Sequence, residues 1–408
     1  MSTPTACEEP IPSFTIDLAK PLRGRYCEVV RVFGPRMCSL TGLFDSLLSV
    51  FIAATWLRLI ITGLSDLCLR RVYDDEENEE IKGISAASGV PLYLLVALNN
   101  LLDCLLGCTS GAVPVSRCKD SRQTGDGTRL LHFRSLDWGM VELRDLLVVL
   151  EFVDSASRYP NCIIARSITY AGFVGSLTAV RPGLSISLNY RASHDWPSTQ
   201  LRWHQFMVLL GMRKSTSSMV RSFILHPSQL NDNVEEGVAS SMSPFLKLAT
   251  PLTSMPSAPC YLILCNGQEA AVITKDYITI TVRSAYGFIA QTNHDLEDDE
   301  EGMAQKHETT RQDRREVIKF SFGIEGWVEE SVDRLLCLQK RWNRLKRNFQ
   351  GKVSTVSPTA TLSITEKTVR RWMSHYPTTN ECTHFTCILD PAKGKIQWLN
   401  RGPPDSTK

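Results

Sequence analysis

A chain of 408 residues, 43% of them hydrophobic, can bury one large or two medium cores. Lys plus Arg number 45 against 43 Asp plus Glu, which excludes the basic excess of a nucleic-acid binder, and 22% charged residues argues against long disorder. The 13 cysteines form no repeated CxxC spacing, so neither a metal site nor a cofactor is expected; Cys260 with Cys265 and Cys382 with Cys387 could pair.

The opening MSTPTACEEPIPSF carries neither the basic nor the apolar region of a secretory signal. This predicts an intracellular protein, cytoplasmic or peripheral on a membrane, with the lysosome or vacuole as the alternative if the N-terminus is incomplete. Residues 13–33 alternate and then break at Lys20-Pro21, which predicts a strand followed by a short helix. Leu43 to Leu64 is apolar and long enough to cross a bilayer, but Asp45 and Arg58 make a span costly, so a buried or interfacial helix is expected. The acidic run Asp74 to Glu80 reads as a solvated face. Residues 91–107 open on Pro91 and close on Gly107, the punctuation of a helix.

From Cys108 onward the texture changes. Short β-rich segments such as LLHFRSLDW, LLVVLEFV, LSISLNYR and CYLILCNG are interrupted by helical stretches near 198–225 and 325–348. The second stretch carries Trp327, Val328, Val332, Leu335, Leu336 and Leu338 on one side, and its last turns hold Lys340, Arg341, Arg344, Lys346 and Arg347. Helices grouped between runs of strands predict stacked sheets covered by helices.

Several residues could carry chemistry. Cys108 follows a helix and precedes Thr109-Ser110, although a lone cysteine is more often a small buried hydrophobe than a nucleophile. Arg134 could supply the positive charge a thiolate needs, and Asp137, near the same strand's end, could hold an amine; the alternative is an ordinary strand-end salt bridge. The glycines of Tyr170 to Gly175 permit close backbone approach. In Gln291-Thr292-Asn293-His294-Asp295 a side-chain amide could donate to an oxyanion. Asp313-Arg314-Arg315 adds a charged cluster.

Taken in order, PSFTIDLAKPLRGRY, Glu79-Glu80-Ile81-Lys82-Gly83-Ile84, Cys108-Thr109-Ser110, Arg134-x-x-Asp137, LTAVRPGLSISLNYR, APCYLILCNG, VITKD, QTNHD and DRR resemble the acid ceramidase family, which includes N-acylethanolamine-hydrolysing acid amidase. The resemblance runs from about Phe14 to Arg315 and continues more faintly to the C-terminus. It implies an α+β fold, the αββα four-layer sandwich of N-terminal-nucleophile hydrolases, with antiparallel sheets flanked by helices. It also implies a precursor that cuts itself before Cys108, giving an α-chain of residues 1–107, mostly helical and capping the site, and a β-chain of residues 108–408 with the catalytic domain.

By the same resemblance Cys108 is the nucleophile and its freed α-amine the base. Asn293 matches the oxyanion-stabilising asparagine, Arg134 the arginine beside the nucleophile, and Asp137 the aspartate that holds the new amine. Arg314 matches a further site arginine, with Arg315 as its alternate. The implied activity is lipid amide hydrolysis. Ceramide is the first expected substrate, N-acylethanolamines or other fatty amides the second, and an inactive lipid-binding homologue the alternative from another class. The expected partners are the lipid amide, a lipid surface and the two chains of one precursor. The apolar helices at 43–64 and 94–106 are candidate linings for an acyl groove. Val115 to Gly127 should form a longer hairpin loop than in the relatives, and EVIKFSF after Arg315 lacks the cysteine that they bridge to the N-terminal region.

Overall fold

The computed structural model describes residues 10–38, 42, 55–101, 107–116, 128–226, 243–296, 327–353 and 362–404. The N-terminal part supplies β1 (Ser13–Asp17), α1 (Cys27–Met37), α2 (Thr55–Cys68), α3 (Asp75–Ser88) and α4 (Leu92–Leu101). Strands then dominate: β2 (Gly107–Ser116), β3 (Thr128–Asp137), β4 (Leu147–Val153), β5 (Ala165–Tyr170), β6 (Thr178–Arg181) and β7 (Leu184–Tyr190). Helices α5 (Ser198–Leu209), α6 (Thr216–Leu225), α7 (Pro244–Leu248) and α8 (Thr250–Ser254) follow. The chain continues through β8 (Ser257–Cys265), β9 (Ala270–Tyr277), β10 (Thr279–Ala285), β11 (Ile289–Gln291), α9 (Trp327–Val353), α10 (Glu366–Met373), β12 (Thr383–Asp390) and β13 (Lys395–Arg401).

The strands form an eight-stranded sheet, β1-β4-β5-β6-β7-β8-β9-β10, and a five-stranded sheet, β11-β2-β3-β12-β13. Only β1, at an edge, pairs in parallel, placing Phe14 opposite Leu150; the other described strands pair antiparallel.

Side-chain alternation fixes the layers. On β7, Leu184, Ile186 and Leu188 join the main core with Met219, Val220, Phe223 and Ile224 of α6. Ser185 and Ser187 point the other way and meet His132 of β3, while Asn189 meets Ser110 of β2, so the two sheets face each other. On the far side of the five-stranded sheet, Val113, Leu131, Phe133 and Ile388 pack under Leu335 and Leu338 of α9 and Val369, Trp372 and Met373 of α10. The order is helices, sheet, sheet, helices: the αββα arrangement expected from the sequence.

Three expectations are corrected. The run from Asp74 to Glu80 is not a solvated face, because Glu77, Asn78 and Glu80 are buried. Asp74 caps α3 by accepting from the Glu76 and Glu77 amides, and Glu77, Glu80, Ile81 and Ile84 then form one inward stripe at helical spacing. Cys260, Cys265, Cys382 and Cys387 are all free. Cys260 and Cys265 lie five residues apart on β8 and so face opposite sides of the sheet, while Cys382 lies outside β12, before the strand that carries Cys387. The helical stretch 198–225 is two helices, split by residues 210–215.

Much of the expected 43–64 helix lies outside the described residues. Among those described, no helix is long and apolar enough to cross a membrane. Gly83 explains the end of the Glu-Glu-Ile-Lys-Gly-Ile motif: a Cβ there would collide with the Arg23 backbone, so glycine lets α3 lie against the turn before α1.

Candidate active site

Cys108 is the second residue of β2, between β11 and β3 in the five-stranded sheet. Gly111, three residues on, has no room for a Cβ, which would strike the Ile289 carbonyl and the Phe133 ring. That closeness lets β11 pair with β2 and delivers the turn after β11 to Cys108. There the Cys108 backbone N–H donates to Asn293 Oδ1 at 2.7 Å. Asn293 Nδ2 donates to the Tyr190 carbonyl at 2.7 Å, and its backbone N–H donates to Ser331 Oγ at 2.8 Å.

Antiparallel pairing with β3 sets the other two groups. Arg134 lies opposite Ser110 and Asp137 opposite Gly107, so both flank the Gly107–Cys108 peptide. Arg134 Nη2 is 3.2 Å from Cys108 Sγ and donates to the Leu188 carbonyl at 2.7 Å. Its Nη1 is 3.4 Å from Asn189 Oδ1. Asp137 accepts from Thr383 Oγ1 at 2.6 Å and pairs with Arg334 Nη1 at 3.1 Å. Arg334 also reaches Asn293 Oδ1 through Nη2 at 3.2 Å, joining Asp137 to Asn293.

These groups are buried, and burial sets their charge states. Desolvation raises the Cys108 thiol above its ordinary pKa, opposed by Arg134. Burial likewise raises Asp137, opposed by Arg334 and by the Thr383 hydrogen bond. His132 is pushed down to about 3 by burial and sits neutral between Ser185 and Ser187. Its ring braces the two sheets, while His294 Nδ1 meets Thr292 Oγ1 and Ser331 Oγ. The thiol, an arginine cation, a carboxylate and a carboxamide thus converge around one peptide bond.

The structure brings together four of the residues singled out by sequence: Cys108, Arg134, Asp137 and Asn293. Arg314 and Arg315 lie outside the described residues. Arg334, beside Asp137, was missed, as were Thr383 and Ser331. A signal for two of them existed: Ser331, Arg334, Leu335 and Leu338 share one helical stripe, and all four are buried. Polar residues on an otherwise apolar stripe mark a site.

The αββα layering and this convergence of thiol, arginine, carboxylate and carboxamide around one peptide bond fit a hydrolase of the amidase class. Comparison with known proteins found the following likenesses. Residues 9–73 match the family model described as the beta subunit of N-acylethanolamine-hydrolyzing acid amidase. The label falls on the N-terminal part, the segment termed the α-chain above. Acid ceramidase of Bos taurus is 24% identical over 97% of this chain and 87% of its own, and that of Homo sapiens is 22% identical over the same shares. Among solved structures, the Caenorhabditis elegans N-acylethanolamine-hydrolyzing acid amidase ortholog is 17% identical with a TM-score of 0.45, covering 72% of this chain and 100% of that one. The chain is thus similar along most of its length to acid ceramidases, and over residues 9–73 to the family model of N-acylethanolamine-hydrolyzing acid amidase.

Proposed function

We propose that the chain is a self-processing ceramidase: it cuts its own Gly107–Cys108 bond and then hydrolyses N-acylsphingosine to sphingosine and fatty acid with the freed Cys108. The carrying observation is the set of contacts on that one residue. Arg134 touches its sulfur at 3.2 Å, and Asn293 holds its nitrogen at 2.7 Å. Asp137 lies across the strand from Gly107.

The chemistry follows from the charge states. Because burial keeps the thiol protonated, a base must take its proton as it attacks. The α-amine released on Cys108 is that base, with a reference pKa of about 7.7–8.0. Sulfur attacks the amide carbonyl, the amine of the substrate leaves with a proton, and water hydrolyses the thioester. Arg134 favours the developing thiolate, and Asp137 holds the new amine by a charge-assisted hydrogen bond. Arg334, tied to Asp137 and Asn293, performs the orienting task assigned by resemblance to Arg314. With the chain continuous through Gly107 and Cys108, Asn293 Nδ2 is engaged by Tyr190 O. Its service as an oxyanion donor requires that amide to turn once the chain is cut.

Relatives named acid ceramidase, matching 97% of the chain, favour ceramide. The family model over residues 9–73 favours N-acylethanolamines as the second reading. Contact with a lipid surface belongs to the same proposal and is supported by exposed Trp56, Leu64 and Leu67 on α2.

The test uses the full chain, wild type and Cys108→Ala, on a denaturing gel and against both lipids. Two fragments and ceramide turnover in the wild type alone support the reading. Turnover of N-acylethanolamine but not ceramide supports the second. One undivided band with no turnover supports an inactive lipid-binding homologue.

A further inference from the structure

Strand β12 carries an irregularity beside the site. Thr383 pairs with Asp137 and Phe385 with Leu136, so two steps along β12 match one step along β3 and His384 is the extra residue. A bulge of this kind turns successive side chains toward the same neighbour. Here Thr383 addresses the Asp137 side chain, and His384 addresses the backbone one residue later. His384 Nε2 meets the Trp138 carbonyl at 3.0 Å, and its Nδ1 meets the Tyr170 hydroxyl at 2.7 Å. The Trp138 N–H donates to the Cys382 carbonyl at 2.7 Å.

The Thr383 hydroxyl is itself oriented. It accepts the Asn380 backbone N–H at 2.9 Å and has two acceptors for its own proton, of which Asp137 Oδ1, charged and at 2.6 Å, outcompetes Asn380 Oδ1 at 3.3 Å. Thr383 is fully buried, so water cannot take over either contact. Asp137 Oδ2 meanwhile takes Arg334. One carboxylate oxygen is thus held by the bulge and the other by α9.

We propose that Thr383 is a positioning residue: presented by the β12 bulge, its hydroxyl holds the Asp137 carboxylate ionised and aimed at the α-amine of Cys108. This rests on the reading of Cys108 as a freed N-terminal nucleophile. The other groups facing Asp137 are Arg334 and Glu330 on α9, Arg134 and Ser135 on β3, Cys108 on β2, Tyr170 on β5, and Cys382 before β12. Glu330 opposes ionisation of Asp137, and the two arginines favour it. A hydroxyl that donates to the anion adds to the arginines' side.

The test compares Thr383→Val, which keeps the shape and removes the hydroxyl, with Thr383→Ser, which keeps the hydroxyl. Both are assayed with wild type for hydrolysis of a short-chain fluorogenic N-acyl amide from acid to neutral pH, with thermal unfolding in parallel. The valine variant should lose about tenfold in kcat with little change in KM, and its acid limb should move up by about one pH unit. The serine variant should retain most of the activity and the wild-type profile. A valine variant whose profile superimposes on wild type, or a serine variant that loses as much as valine, overturns the role of Thr383. If valine fails to fold, Thr383→Ala against Thr383→Ser carries the same comparison. A wild-type protein that hydrolyses no acyl amide overturns the parent reading and this role with it.

Discussion

At Cys108 burial keeps the proton on sulfur while Arg134, 3.2 Å away, draws it off. The balance leaves the thiol dependent on a base, and this gives each neighbour a separate test. Cys108→Ala should abolish fragmentation and reduce amide turnover by roughly a thousandfold or more, read by gel and by product release. Arg334→Lys keeps the charge but loses the planar fork that joins Asp137 to Asn293. It should slow turnover by roughly tenfold while the thermal midpoint moves little, as measured by steady-state kinetics beside calorimetry.

Helix α3 shows how an acidic segment becomes a core element. Glu80 lies between Arg25, at 2.9 Å, and Arg221, which also reaches the Val174 carbonyl. Removing one partner leaves buried charge uncompensated, so Glu80→Gln should cost about 3–5 kcal/mol, read from the urea midpoint. Glu77 behaves differently. Burial pushes its carboxyl from 4.5 up to about 7, and it accepts the Ser218 hydroxyl at 2.9 Å. Between those values the native state binds a proton that the unfolded state has released. This contribution to stability is therefore full below about 4.5 and is lost as pH rises toward about 7. Glu77→Gln should flatten the fall of the thermal midpoint across that window.

Across the whole molecule, the part before Cys108 is built into the part after it. Strand β1 completes the eight-stranded sheet beside β4, and α3 is bound by Arg221, Ser218 and Lys214 from α6 and the turn before it. A cut at Gly107–Cys108 severs none of these contacts. The two fragments, about 12 and about 33 kDa from chain length, should therefore elute together under native conditions and separate on a denaturing gel. Separate elution of native fragments would contradict this packing.

The sequence by itself determined what depends on near neighbours. Alternation located strands after residue 108, Pro91 marked the start of the helix before it although Gly107, expected to close that helix, opens β2 instead, and ordered motifs selected Cys108, Arg134, Asp137 and Asn293. Those four were legible because each sits within a short ordered motif, with Cys108, Asp137 and Asn293 at a strand end or turn and Arg134 within β3. Tertiary structure decided what depends on distant partners. An acidic run becomes core because Arg25 arrives from the turn before α1 and Arg221 from α6. Arg334 and Thr383 reach Asp137 from α9 and a β12 bulge, each about 200 residues or more along the chain. Periodicity records which face of an element is buried; only the folded chain fixes what lies against that face.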